Sequence, residues 1–177
     1  MSESIGKLFM ERTAPQHLEP SRQSQGVPQP ALELPYPPQA ALIDLPSPDS
    51  LHIPALDLRL AIEQRRTLRH YQETPLTLDE LSFLLWATQG VQNVTNRPVT
   101  FRTVPSAGAR HAFETFLLLN RVADVTPGLY RYIALEHALL PVSSDPALVD
   151  SLVHACWDQE QVRRAAATFF WAAVLER

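Results

Sequence analysis

From Leu56 onward the apolar residues fall into periodic runs that residues 1–54 lack. Leu58, Ala61 and Ile62 recur at helical spacing and lead into Arg65-Arg66, which predicts a short helix. After Pro75, Thr77-Leu78-Asp79-Glu80 fits a capping box, with the threonine oxygen accepting an early backbone N–H and the glutamate reaching back. Leu78, Leu81, Leu84, Leu85 and Thr88 form the buried stripe behind that cap, and Gly90 terminates the helix. Residues 91–104 are polar, contain Pro98, and read as a loop. Bulky apolar residues predict strands over 113–120 and 129–133, joined through Thr126-Pro127-Gly128, with a shorter strand over 137–142. Asp145-Pro146 places a cap before proline at the first helical position. It opens a helix through Cys156, and a second helical stretch covers about 158–165. The unbroken apolar run 166–174 suits a strand covered on both faces, with a short buried helix as the alternative. The predicted fold class is α+β: helices packed on a mixed or antiparallel sheet.

Proline sets the first part of the chain apart. Ten of the sixteen prolines precede residue 55. Each removes a backbone donor and fixes φ, so residues 1–54 are expected to form an extended arm before a domain over 55–177. Leu32, Leu34, Tyr36, Leu42, Ile43, Leu45, Leu51 and Ile53 give that arm apolar side chains able to lie in grooves of a neighbouring surface. A disordered linker is the alternative.

Charge narrows the partners. At 177 residues and a net charge of −4, the chain has no general attraction to nucleic acid or to an anionic membrane. No apolar run approaches a bilayer span and the N-terminus lacks a signal-peptide layout, so a cytoplasmic protein is expected. Cys156 is the lone cysteine and six histidines are scattered without ligand spacing, which predicts neither disulfide nor metal site. Cys156, Trp86, Trp157 and Trp171 sit in apolar patterns and are expected in the core, as is one of Tyr130 and Tyr132. His70 and His111 read as polar side chains facing solvent.

Two segments carry candidate chemistry. Arg65-Arg66-Thr67-Leu68-Arg69-His70-Tyr71 gathers three guanidiniums and a hydroxyl within five residues at an expected helix end. Arginine forks donate paired, charge-assisted hydrogen bonds to phosphate oxygens. A solvated helix end complementing the helix dipole is the competing account. Pro105-Ser106-Ala107-Gly108-Ala109-Arg110 offers backbone N–H groups and a hydroxyl in a tight turn, with glycine permitting unusual φ; an ordinary turn before the next strand is its alternative. No Gly-x-Ser-x-Gly elbow surrounds Ser106, which argues against a serine nucleophile.

Taken in order, Arg-Arg-Thr-Leu-Arg-His-Tyr, then Pro-Leu-Thr-Leu-Asp-Glu-Leu-Ser-Phe-Leu-Leu-Trp-Ala-Thr-Gln-Gly-Val, then Pro-Ser-Ala-Gly-Ala-Arg-His, then Gly-Leu-Tyr-Arg-Tyr resembles the FMN-dependent nitroreductase superfamily. The resemblance runs from about residue 55 to the end, and within the superfamily it is to the branch of the thiazole/oxazole (azoline) peptide dehydrogenases. It implies that Arg65, Arg66, Thr67 and Arg69 grip the FMN phosphate and ribityl chain. It also implies that Pro105, Ser106 and Gly108 run along the isoalloxazine ring. The flavin carries the electrons, so no catalytic side chain is required here. The same resemblance implies a homodimer, NAD(P)H as a possible donor, and a small-molecule or modified-peptide substrate. The sequence is similar to the N-terminal half of such a domain, and the expectation is a C-terminally incomplete fold. A truncated, flavin-free binding or scaffold subunit, or a gene fragment, is the rival reading.

Overall fold

The computed structural model describes residues 4–96 and 99–177. Chain contacts divide it into two compact units, Met1–Pro30 and Ala31–Arg177. The first holds helix α1 (Ile5–Arg12) and a single 3-10 turn at Pro15–His17, and neither buries a residue. The second holds everything else. The division by contacts falls between Pro30 and Ala31. Residues 31–54 form few ladder bonds, as their prolines dictate, yet they lie on the sheet of the larger unit.

That sheet has five strands in the order β1-β6-β5-β4-β7: β1 (Ile43–Asp44), β4 (Phe113–Leu119), β5 (Gly128–Ile133), β6 (Ala138–Ser143) and β7 (Ala167–Ala173). Every pairing is antiparallel. Strand pleating sends alternate side chains to opposite faces, and β4 buries both sets: Leu117, Leu118 and Leu119 are at most 1% exposed. Leu117 and Leu119 join Tyr130, Tyr132, Leu139 and Leu45 in one cluster with Leu81 and Leu85 of helix α3 (Leu78–Gln89). Leu118 joins a second cluster with Val153 of α4 (Ala147–Ala155) and Val162 of α5 (Gln161–Arg164). The predicted α+β class is realised as an antiparallel sheet with helices on both faces.

Helix α3 begins as its sequence dictates. The Thr77 hydroxyl accepts from Glu80 N at 3.1 Å while the Glu80 carboxylate accepts from Thr77 N at 2.8 Å. Its buried stripe differs in detail: Leu81, Ser82, Leu85 and Gln89 face inward, whereas Leu84 is exposed. Gly90 ends the helix with φ −59°, so it is not a left-handed cap. A Cβ there would lie 2.5–2.9 Å from Trp86 atoms, and close approach explains the glycine.

Several expectations are corrected. Residues 91–104 contain a hairpin, β2 (Val91–Val94) with β3 (Thr100–Arg102), although Arg97 and Pro98 lie outside the described residues. Its polar side chains hid the strands because three of the four β2 residues are exposed. The stretch 158–165 is helical only at Gln161–Arg164, since Trp157 and Asp158 turn left-handed. Asp145 does cap α4, accepting from Ala147 N at 2.9 Å across Pro146, whose φ −64° and ψ −25° are already helical. Strand β7 lies at a sheet edge and its Trp171, Ala172 and Ala173 are exposed, so the 166–174 run is not covered on both faces throughout. Trp157 is 90% exposed rather than core, and Tyr130 and Tyr132, two apart on β5, both face the larger cluster.

Two polar clasps hold residues 31–54. In the first, the buried Glu114 carboxylate accepts from Leu34 N at 2.9 Å and pairs with the Arg177 guanidinium. Arg131 donates to Leu34 O at 2.9 Å, and Glu33 accepts from Ala134 N and Leu135 N. In the second, His137 Nδ1 stands 2.7 Å from the Tyr132 hydroxyl and Nε2 2.8 Å from Ser82 Oγ. Ser82 donates onward to Pro46 O at 2.6 Å. One proton arrangement satisfies all of them with a neutral ring: Tyr132 donates to Nδ1, and Nε2–H donates to Ser82. Ser82 is fully buried, so this serine–histidine–tyrosine line is a structural clasp. No helix among the described residues is long and apolar enough to cross a membrane.

Replacing Glu114 by Gln leaves the Arg177 charge buried without its partner and should cost about 3–5 kcal/mol in denaturant unfolding. The second clasp predicts a pH dependence. Burial lowers the His137 pKa below its ordinary 6.5, so the unfolded chain binds more protons than the folded one in the window just below that value. Stability contributed by the neutral ring is full above pH 6.5 and falls as pH drops through it toward the folded pKa. His137→Gln should flatten that acid limb in unfolding measured between pH 7.5 and 5.

Candidate functional site

The first candidate group follows helix α2 (Leu58–Gln64). Asp57 caps this helix by accepting from Leu60 N at 3.0 Å, and none of its residues is buried. Arg65 ends it in an extended conformation, φ −54° and ψ 125°. Arg66 Nη1 donates to the carbonyls of Glu63 and Arg65, 2.8 Å each, which satisfies acceptors that every helix C-terminus leaves open. Arg65, Arg66, Thr67 and Arg69 are exposed. Among the described residues, none of these arginines pairs with a carboxylate. The donor set is thus three un-neutralised guanidiniums and a hydroxyl. Its chemistry fits a phosphate dianion, which takes charge-assisted, paired donors.

The second group is a strained bend. Ser106 is extended, φ −149° and ψ 136°, and begins a single 3-10 turn at Ala107–Ala109. Gly108 (φ 61°), Ala109 (φ 52°) and His111 (φ 45°) are left-handed. For the two residues with side chains that conformation costs about 1–2 kcal/mol each, so neighbouring bonds must hold it. Ser106 Oγ accepts from His111 N at 2.8 Å, and Ala109 N donates to Ser106 O at 3.1 Å. The His111 ring is buried and its Nε2 stands 3.1 Å from Thr100 O. A carbonyl only accepts, so Nε2 carries the proton. Burial first, and the Arg102 charge second, hold the His111 pKa below its usual value. Arg102 in turn reaches Thr100 Oγ1 at 3.3 Å and Gln89 Oε1 at 3.5 Å. Burial lowers its pKa, opposed by the charges of Glu33 and Glu114.

Pro105, Ser106 and Gly108 therefore share one turn, with Pro105 and Gly108 exposed and Ser106 half-buried. Arg65, Arg66, Thr67 and Arg69 share another segment. No hydrogen bond or ion pair joins the two groups among the described residues. His111, expected at the surface, is the buried anchor of the bend, while His70 is exposed. Its position one residue past the Pro-Ser-Ala-Gly-Ala-Arg block was the signal available in sequence. A cavity of 380 Å³ opens beside His137, Trp86, Gln92 and Asp49, and none of the seven candidate residues lines it. Among the described residues no cluster of histidine, cysteine and acid side chains is arranged for a metal ion.

Gly108→Ala should lower stability by about 1 kcal/mol in thermal unfolding. A Cβ there meets only Arg110 Cγ at 3.8 Å, so the cost comes from φ and not from contact.

With this geometry in place, the likenesses to known proteins are informative. The nitroreductase family model matches residues 62–177. A Methanocaldococcus jannaschii protein that carries the nitroreductase name is 34% identical over 125 residues, 71% of this chain and 61% of that one. A solved Anabaena variabilis structure titled as a nitroreductase aligns with TM-score 0.64 and 22% identity, over 98% of this chain and 32% of that chain. At that identity it shows the fold alone. A Ralstonia eutropha structure with a similar title aligns at TM-score 0.48 and 29% identity, over 66% of this chain and 49% of that chain. The chain spans about three-fifths of the curated relative and half or less of the two solved chains.

Proposed function

This chain belongs to the nitroreductase family, and on that premise we propose that it is an FMN-dependent oxidoreductase domain. Its substrate is an azoline-bearing peptide or a small electrophile of the nitro or quinone type, with NAD(P)H as the electron donor. It works as a homodimer in the cytoplasm. The observation that carries the reading is the exposed, un-neutralised donor set at Arg65, Arg66, Thr67 and Arg69. Three guanidiniums within five residues, none with an acidic partner among the described residues, offer charge-assisted donors that a phosphate takes.

In this reading Arg65, Arg66 and Arg69 bind the cofactor's phosphate, and Thr67 adds a neutral hydrogen bond. Pro105, Ser106 and Gly108 offer the ring a flat, small-residue surface. FMN supplies two-electron transfer between donor and acceptor when bound. The side chains named here bind and orient, and none of them is assigned a proton transfer. The azoline preference rests on the order of the sequence blocks alone.

Two observations favour a second reading. Helix α2 buries none of its residues and Trp171 is half exposed, surfaces suited to a flavin-free subunit that another polypeptide completes. The two readings part on colour. The enzyme reading expects a yellow protein whose visible spectrum bleaches with NAD(P)H or dithionite. Flavin fluorescence titration should show Arg66→Ala weakening FMN binding at least about tenfold, the equivalent of roughly 1.4 kcal/mol. A colourless protein that takes up no added FMN would sink the enzyme reading and leave the scaffold.

A further inference from the structure

We propose that His111 is the positioning residue of the Pro105–Gly108 bend, holding Ser106 so that its hydroxyl hydrogen is presented to an acceptor on the bound cofactor. The proposal rests on the flavin reading above and adds to it a residue whose side chain is turned into the protein.

The hydrogen bonds define the role. Ser106 Oγ accepts the His111 backbone N–H at 2.8 Å. Among the described residues its own hydrogen is donated to no protein acceptor, so the oxygen is oriented while the hydrogen stays available. The His111 backbone that makes this bond sits at φ 45°, a conformation residues with a Cβ resist. Something must hold it there, and the ring does so. Nε2–H donates to Thr100 O, a carbonyl of a residue 1% exposed on β3. Arg177 Nη1 approaches the His111 carbonyl from the other direction at 3.5 Å. Thr100 is itself fixed from below, since Arg102 bridges its hydroxyl to Gln89 at the end of α3. A continuous chain of contacts therefore runs from α3 through the β2–β3 hairpin to the Ser106 hydroxyl. Releasing the ring from Thr100 frees the backbone to relax toward negative φ, which swings the N–H away from Ser106. The hydroxyl then turns freely, and its ordering must be supplied by the ligand at binding.

The geometry also explains why histidine suits the position. Thr100 O stands 3.1 Å from Nε2, at the far end of the ring. Glutamine extends an amide N–H to about the place of Nε2, whereas phenylalanine keeps the ring's bulk and lacks the donor.

The test uses the full chain with Ser106→Ala, His111→Gln, His111→Phe and the two double variants. FMN affinity is read by quenching of flavin fluorescence. Without FMN, protection of the residue-111 amide is read by hydrogen exchange. His111→Phe should weaken FMN binding about tenfold and His111→Gln no more than about threefold. Ser106→Ala should weaken binding about tenfold alone but less than about twofold in the His111→Phe background, because the two residues act as one unit. Protection of the amide should fall in Ser106→Ala and His111→Phe and persist in His111→Gln. Additive losses of Ser106→Ala and His111→Phe, or a His111→Gln variant as weak as His111→Phe, would overturn the role of His111 while leaving the flavin reading intact. If His111→Phe does not fold, His111→Gln decides alone: FMN binding within about threefold with the residue-111 amide still protected upholds the role, and a larger loss or lost protection overturns it. An unmodified chain that binds no FMN overturns the flavin reading and this proposal together.

Discussion

Strand β4 is the constraint on which the larger unit depends. Three consecutive leucines, 117 to 119, are buried to within 1%, and a strand cannot bury consecutive side chains unless both of its faces are covered. Helix α3 and Leu45 cover one face, and α4 with α5 cover the other. Losing either cover would expose fully buried leucines, each worth roughly 2–3 kcal/mol of transfer free energy. The order of the remaining elements follows from that demand. Strands β5 and β7 flank β4 by hydrogen bonding, and the helices after β6 return to the side that α3 leaves open.

The start of β4 meets a different problem, because Glu114 places a carboxylate on the pleat where Leu118 is apolar. Burying it unpaired would be costly. The protein resolves this with Leu34 N, which belongs to the proline-rich stretch, and with Arg177. The arm segment from Ala31 onward is thus tied to the sheet by polar bonds in two places, at Glu114 and at His137, with Leu45 buried between α3 and the sheet. Proline does not prevent this, because the stretch serves mostly as an acceptor: the carbonyls of Leu34, Pro35 and Pro46 all take side-chain donors.

The strained bend gains its meaning from the same strand. His111 lies two residues before β4 begins, so the bend is fixed to the most deeply buried strand on one side and to Thr100 on the other. Left-handed conformations at Ala109 and His111 persist because their surroundings over-determine them, a pattern concentrated where proteins bind ligands. The arginine segment is the opposite kind of feature. It follows a helix with no buried residue, and only Arg66 is tied to that helix, through the Glu63 and Arg65 carbonyls. One group is held by buried hydrogen bonds, and the other is exposed and strongly cationic.

Local chemistry was legible in the sequence, and so were the family and the α+β class. The Thr77–Glu80 cap, the strands at 113–119, 128–133 and 138–143, and the helix after Asp145 are short-range consequences of their own residues. Four ordered sequence blocks point to nitroreductases by themselves. Long-range partnership was not legible. Nothing near Glu114 in sequence announces Leu34, eighty residues away, or Arg177, sixty-three away. The exposed polar strand β2 has no apolar alternation to reveal it, and Trp157 sits in an apolar run yet faces solvent. His111 reads as solvent-facing in sequence because burial of a polar ring depends on a carbonyl from another strand, Thr100 O, which only the folded chain brings within 3.1 Å. Periodicity and capping are written in neighbouring residues, whereas the satisfaction of buried polar groups is decided by whatever the tertiary structure sets beside them.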